Sequence, residues 1–294
     1  MRMYALNQTT GRRGFAAAFT TLLTVTLLAS PASAETLKIK GSTTVNLPAA
    51  EAAEILRAEK GMQIQVDTQG GSSGGISMLG DGLVQIGMSS KHLSDTDRAK
   101  YPKVQFKEIH IGEDAVALIV SADVWNGGVR TVTKEQVKGI YEGRLKNWKE
   151  LGGPDRRIAF FNKEPGRGTW EVFAHWLYGD AKKAPPVSFP ELGGNEETRN
   201  KVASTRGALS QLSSSWADGK KVFALGIKQD DGAVVLPTNE NIASHKYPMS
   251  RPLFLLTNGE PTGEVKTFVE FILSERGQAM VRKHGYLALA DLKP

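Results

Sequence analysis

Three segments of this chain share one pattern, in which an apolar strand-like run leads through a turn rich in Gly, Ser and Thr into a helix-like run. The turns are residues 41–44 (Gly-Ser-Thr-Thr), 70–75 (Gly-Gly-Ser-Ser-Gly-Gly) and 166–169 (Gly-Arg-Gly-Thr). Strands that alternate with helices favour an α/β fold.

The three turns also suggest a chemistry. The first N–H groups of a helix have no partner within it, and the helix dipole is positive at that end, so an anion is favoured there. Glycine lets a ligand approach the backbone closely, and hydroxyl groups add donors without bulk. Any one turn alone is explained by turn geometry and helix capping. Three turns together indicate one small oxyanion held from several sides.

The first 34 residues resemble an export signal. Arg2, Arg12 and Arg13 give a positive start, residues 15–29 form an apolar run, and residues 32–34 read Ala-Ser-Ala, typical of a cleavage site. The pair Arg12-Arg13 also partly matches a twin-arginine signal, and both export routes stay open. We expect cleavage before residue 35.

Composition excludes several classes of protein. The chain has no cysteine, which rules out disulfides, thiolate metal sites and a lipid anchor on cysteine. The net charge of +6 is interspersed, with no basic stripe, so nucleic-acid binding is not supported. After residue 34 no apolar run reaches about 18 residues, the length of a membrane span. These observations predict a soluble, periplasmic monomer without metal or other cofactor.

The predicted elements suggest two lobes. We expect lobe 1 to comprise residues 35–120 and 251–294, and lobe 2 to be residues 121–250, inserted between two crossing segments near Ser121 and Arg251. A mostly parallel sheet is expected. The elements that bear most on the site are helices over 46–60, 75–79, 134–141, 170–178 and 195–202 (capped by Asn195), strands over 104–111 and 115–120, a loop over 237–248, and a helical stretch over 264–284 with a break near Gly277.

Six short motifs, in this order, resemble the periplasmic phosphate-binding proteins of ABC transporters over nearly the whole chain after residue 34. They are GSTTV at 41–45, GSSGG at 71–75, IGMSS at 86–90, IYEGRLKNW at 140–148, GRGT at 166–169 and YPMSRPL at 247–253. The resemblance implies the type II periplasmic binding protein fold, two α/β lobes joined by two crossing segments. It also implies capture of inorganic phosphate between the lobes and delivery to a membrane permease, without catalysis.

The same resemblance implies a set of ligand-binding residues. The first motif implies the side chains of Thr43 and Thr44 and the backbone of Val45. The others imply Ser72 with Ser73 and Gly74 beside it, then Gly168 and Thr169, and a basic residue a few positions earlier, here Lys163. Family members often have Arg at position 163 and Ser at position 167, so Arg167 could supply the planar cationic contact that Lys163 lacks.

A second departure from the family concerns selectivity. The Asp that many phosphate binders place in the cleft falls on Ser90, and a subgroup has Ser-Ser followed by a basic residue, here Lys91. A carboxylate accepts the proton of phosphate and repels sulfate, whereas a serine does not repel. We consider Asp114 as a substitute acceptor, with a structural salt bridge as its alternative role.

Two other functions remain open. The same fold could bind sulfate, molybdate or tungstate. Residues 70–74 also match Gly-x-Ser-x-Gly, the nucleophile elbow of serine hydrolases, which would make Ser72 a nucleophile. The five histidines show no metal-binding spacing and no oxyanion-loop motif accompanies the elbow, so the binding function is favoured.

Overall fold

The computed structural model describes residues 36–292, which hold twelve β-strands and ten α-helices. The strands are β1 (Leu37–Gly41), β2 (Ile64–Asp67), β3 (Ile86–Ser89), β4 (Phe106–Ser121), β5 (Thr131–Thr133), β6 (Ala159–Lys163), β7 (Glu191–Leu192), β8 (Ala208–Ser213), β9 (Val222–Ala224), β10 (Gly226–Lys228), β11 (Val234–Val235) and β12 (Ser250–Asn258). The helices are α1 (Asn46–Lys60), α2 (Gly71–Gly80), α3 (Asp95–Lys100), α4 (Ala122–Asn126), α5 (Lys134–Tyr141), α6 (Gly168–Tyr178), α7 (Asn195–Ser204), α8 (Asn239–Ala243), α9 (Gly263–Leu273) and α10 (Glu275–Lys283).

One long sheet runs through the molecule in the order β2-β1-β3-β12-β4-β8-β6-β7, with β9 also paired to β4. Its two ends are parallel, whereas β12 and β4 in the middle are antiparallel to their neighbours. The prediction of a mostly parallel sheet was therefore wrong for the central strands of this sheet. A smaller sheet has the order β11-β10-β5.

Strand β4 links the two halves of this sheet. It pairs with β12 up to Ala115 and with β8 from Val116 onward. We predicted two strands here, but a single strand of 16 residues is formed. The run from 115 to 120 is fully buried and continues the backbone pairing without a turn. The exact lobe boundaries remain a prediction.

Two main hydrophobic cores flank this crossing. One packs α1 and α9 against the first strands and includes Leu56 and Phe268, which are fully buried. The other lies around β4, β6 and α6 and includes Trp148 and Phe173, also fully buried. These two cores and the crossing strands confirm the predicted α/β architecture of two lobes.

Local signals placed some helices correctly. Helices α1 and α5 have the predicted bounds, and Gly61 ends α1 in the left-handed region at φ 64°, which favours glycine. Helix α2 begins at Gly71, four residues before the predicted start, because Gly70 at φ 81° turns the chain directly into it. Residues 237–248 contain α8, which was predicted as loop.

Other helix ends differ from prediction. The break in the last helical stretch falls at Ser274, which caps α10, and not near Gly277. Gly194 occupies the cap position of α7, so the prediction that Asn195 caps it was wrong. None of the helices between residues 36 and 292 is both long and apolar enough to cross a membrane. The predicted export signal, residues 1–34, lies outside the described residues.

Candidate functional site

The three Gly/Ser/Thr-rich turns meet around one small, partly open cavity of about 10 Å³, about the room that one water molecule needs. Two sides of the molecule contribute to it, with β1, α2 and β3 on one side and β6 and α6 on the other. The wall residues are Ser42, Thr43, Thr44, Gly71, Ser72, Ser90, Lys163, Arg167, Gly168 and Thr169. Eight of the twelve residues predicted for the site therefore lie on one wall.

Helix starts supply backbone donors at this wall. Ser72 is the second residue of α2, and Gly168 and Thr169 are the first two residues of α6. Among the described residues, the N–H groups of these three take part in no hydrogen bond. Because both helix dipoles are positive at these ends, the cavity is electrostatically suited to an anion.

The hydroxyl groups of the wall are joined to each other. Ser42 Oγ accepts from the N–H of Thr44 at 3.2 Å and donates to Ser90 Oγ at 3.0 Å. Ser72 Oγ accepts from the N–H of Ser90 at 3.1 Å and lies 3.4 Å from Ser90 Oγ. Ser42 was not predicted as a site residue, although it belongs to the first turn.

Arg251, which was predicted only to lie near a crossing segment, organises the wall from behind. It is 1% exposed and lies on β12. Its guanidinium donates to Asp114 at 2.7 and 3.1 Å, to Thr169 at 2.9 Å, to Thr44 at 3.1 Å and to Ser90 at 3.3 Å. A buried charge needs such partners. The sequence signals were its place in the YPMSRPL motif and its position near the second crossing segment.

Lys163 reaches the wall from the end of β6 and is 1% exposed. Its ammonium donates to the carbonyls of Gly193 (2.6 Å) and Gly194 (3.0 Å) and to Thr198 Oγ1 (2.8 Å). Burial, assisted by the nearby positive charge of Arg167, lowers the pKa of Lys163 from 10.5 to about 7. When the amine is protonated, all three N–H groups are engaged, so this lysine acts on the cavity through its charge and not through a free donor.

Arg167 passes over two glycines to reach the wall. A Cβ on Gly71 would lie 2.6 Å from its Cδ, and one on Gly193 would lie 2.8 Å from its Nη2, so a side chain at either position would displace Arg167. Nε and Nη2 donate to Glu164 at 2.9 and 2.7 Å. Nη1 has only a long contact to the Thr68 carbonyl, at 3.4 Å, and keeps donor capacity.

Four predicted residues lie beside the wall and not on it. Val45 is fully buried, and its N–H is 3.5 Å from Ser42 Oγ. The N–H of Ser73 donates to the Gly166 carbonyl at 3.1 Å, and that of Gly74 to the Gly70 carbonyl. Asp114 takes the alternative we considered for it. Its Oδ2 binds Arg251 and its Oδ1 accepts from Ser213, so it forms a structural salt bridge behind the wall.

Two further residues connect the sides of the molecule. Asn195, whose side chain is buried, donates to Thr44 Oγ1 at 3.1 Å, which explains why it is not a helix cap. Lys91 pairs with Asp97 at 3.1 Å and Glu171 at 2.8 Å. Its charge is therefore used outside the cavity, where it connects the segment after β3 to α3 and α6.

The nucleophile-elbow interpretation finds no support in the geometry. Within residues 36–292, Ser72 Oγ has hydrogen bonds only to Ser90, and no histidine contacts it. A serine nucleophile needs a base within hydrogen-bond reach. No group of His, Asp and Glu in the same residues is arranged to hold a metal ion.

Two lobes that close a cavity lined by helix starts define a solute-binding protein of the type II class. Residues 28–276 match the family model described as the PBP superfamily domain. The chain is 32% identical over 259 residues to the phosphate-binding protein PstS of Bacillus subtilis, which covers 87% of this chain and 82% of that protein.

Solved structures of phosphate-binding proteins resemble this chain as well. A phosphate ABC transporter substrate-binding protein from Clostridium perfringens, solved with bound phosphate, has a TM-score of 0.75 and 32% identity, covering 86% of this chain and 99% of that one. An ABC-type phosphate transport receptor from Vibrio cholerae has a TM-score of 0.66 and 27% identity, covering 88% and 100%. The chain therefore belongs to the PstS family of phosphate-binding proteins, within the PBP superfamily.

Proposed function

We propose that this protein captures inorganic phosphate outside the cytoplasmic membrane and delivers it to the permease of an ABC transporter, without catalysing a reaction. The observation that carries this proposal is the cavity wall, where unpaired N–H groups, hydroxyls and two cations converge. The name of the Bacillus subtilis relative and the phosphate bound in the Clostridium perfringens structure support phosphate as the anion. We further propose a periplasmic monomer, exported through a signal in residues 1–34.

Closure around the ion follows from the placement of the donors. Ser72 and Ser90 lie on one side, whereas Gly168 and Lys163 lie on the other. An ion that contacts both sides binds the closed state better than the open state, so it favours closure. We propose that residues 35–120 with 251–294 and residues 121–250 are the two bodies that move.

Calorimetry of purified protein, stripped of bound anion by unfolding and refolding, tests the proposal. We expect one phosphate per chain and a melting temperature that rises with the logarithm of phosphate concentration. An activated ester should not be hydrolysed. Absence of phosphate binding would refute the proposal, and hydrolysis that depends on Ser72 through a covalent intermediate would establish the hydrolase instead.

Phosphate binding should also be coupled to proton uptake. At about pH 8.5 phosphate is already dianionic in solution, and Lys163, with its pKa of about 7, is mostly neutral. A bound dianion raises that pKa, so the complex should take up a fraction of a proton.

The lowered pKa of Lys163 also affects stability. Because the unfolded chain binds this proton more tightly, the free energy of unfolding of the ligand-free protein should rise as the pH rises from about 7 to 10.5.

Titrations in two buffers of different ionisation enthalpy measure this uptake. The heat of binding should differ between the buffers for the wild-type protein. Lys163→Met removes the amine but keeps most of the volume, so it should bind more weakly and show no buffer dependence. A wild-type protein with equal heats in both buffers would contradict the coupling to Lys163.

A further inference from the structure

The donors of Arg251 are fully used by protein groups. A guanidinium has five N–H groups. Two of them go to Asp114, two from Nη1 go to Thr169 and Ser90, and the remaining one goes to Thr44. Arg251 therefore has no donor left for a ligand. It acts on the cavity only through the hydroxyls that it contacts.

These contacts fix the direction of the wall hydroxyls. A hydroxyl oxygen accepts through two lone pairs and donates one proton. Thr44 Oγ1 accepts from both Arg251 and Asn195, at 3.1 Å each, so its own proton must be donated elsewhere. Ser90 Oγ accepts from Ser42 and Arg251, so it too must donate.

The chain of hydroxyls ends in the cavity. The nearest acceptor for the proton of Ser90 is Ser72 Oγ at 3.4 Å, which already accepts from the N–H of Ser90. This contact is long for an O–H···O bond, so the proton of Ser90 has two outlets, Ser72 Oγ and the cavity itself. By the first route Ser72 donates into the cavity, and by the second Ser90 does, so the series that starts at Ser42 delivers a donor to the cavity in both cases.

The cavity wall offers few hydrogen-bond acceptors to a ligand. No carboxylate belongs to the wall that the described residues form, and Asp114 is committed to Arg251 and Ser213. Thr169 Oγ1 accepts once, from Arg251, and keeps one lone pair. It can take one ligand proton, and the hydroxyl of Thr43, which has no hydrogen-bond partner among the described residues, is the other uncommitted oxygen of the wall.

We propose that Arg251 is a positioning residue that sets the wall hydroxyls as donors, so that the site selects oxyanions with few protons. This inference rests on the proposed function. The ligand class is tetrahedral dianions, in which hydrogenphosphate is preferred to dihydrogenphosphate and sulfate is not repelled. Discrimination against sulfate should be less than about a hundredfold, well short of the 10⁴ or more available to a site with a dedicated polar partner.

The test is the ratio of phosphate affinity to sulfate affinity as a function of pH. Sulfate carries no proton at the pH values where phosphate titrates, so its affinity changes only when the protein itself titrates. The charged groups near the wall are Lys163, Arg167, Arg251, Asp114, Glu164 and Glu197. Their titration affects both anions, and the ratio removes that shared effect.

For the wild-type protein we expect the ratio to rise about tenfold per pH unit below the second ionisation of phosphate and to level off above it. A ratio that is flat or falls as pH rises would overturn the inference while leaving phosphate capture intact. Failure to bind either anion at any pH would instead refute the proposed function.

Two sets of variants distinguish a positioning role of Arg251 from a purely structural one. Ser90→Asp places an acceptor on the wall and should raise the ratio at least about tenfold at neutral pH, whereas Ser90→Asn, its uncharged match, should leave it within about threefold. The double variant Arg251→Gln with Asp114→Asn removes both charges together and should flatten the pH dependence. An unchanged ratio in Ser90→Asp, or an unchanged slope in a folded double variant, would contradict the role of Arg251.

Discussion

Asp114→Ala is expected to lower the free energy of unfolding by about 3–5 kcal/mol, because it leaves a buried charge without its partner. Arg251 and Asp114 are each 1% exposed and lie 2.7 Å apart. Ser213 would also lose the acceptor of its hydroxyl. Urea denaturation of the ligand-free protein, followed by circular dichroism, measures the change.

Two controls accompany this experiment. Asp155→Ala removes an exposed partner of Lys149 and should cost less than about 1 kcal/mol. The double variant Asp114→Ala with Arg251→Met removes both buried charges and should recover part of the lost stability. A cost of less than about 1 kcal/mol for Asp114→Ala alone would show that the pair does not hold the crossing strands as described.

Gly168→Ala is expected to weaken phosphate binding by about five- to a hundredfold without unfolding the protein. A Cβ at this position would lie 2.6 Å from Ser90 Oγ and 2.8 Å from Ser72 Oγ, across a cavity of about 10 Å³. Overpacking of this kind costs about 1–3 kcal/mol, and each 1.4 kcal/mol is a tenfold change in affinity. Calorimetry measures the affinity.

Gly194→Ala is the matched control. Gly194 is close to the same cavity, but a Cβ there would meet only Thr43 Cγ2 at 3.9 Å, an ordinary contact. This variant should bind phosphate within about threefold of the wild type. Normal binding by Gly168→Ala would mean that the ion lies elsewhere.

Local patterns in the sequence predicted the parts of the fold that depend on neighbouring residues. Helix α1 has a proline in its first turn and Gly61 at its end, and both signals act over a few residues. The three turns were predicted to hold one oxyanion because they share the same chemistry, and residues 42–44, 71–72 and 167–169 do lie on one wall. The family resemblance supplied the two-lobed architecture.

Interactions between distant residues escaped prediction. Arg251 contacts Asp114 from 137 positions away and Thr44 from 207 positions away, and no local pattern indicates either pairing. Asn195 looked like a helix cap, yet its side chain binds Thr44 across the cavity. Strand β4 was divided in two because a continuous strand through both lobes depends on its pairing with β12 and β8.

The central claim is that phosphate is held inside the cavity by helix starts and aligned hydroxyls. A crystal structure of the protein with phosphate tests this most directly. We expect the ion within hydrogen-bond distance of Thr44 Oγ1, Ser72 Oγ and the N–H of Gly168. Phosphate found instead in the wider groove beside Lys91 and Trp170, with the cavity wall making no contact to it, would contradict the account.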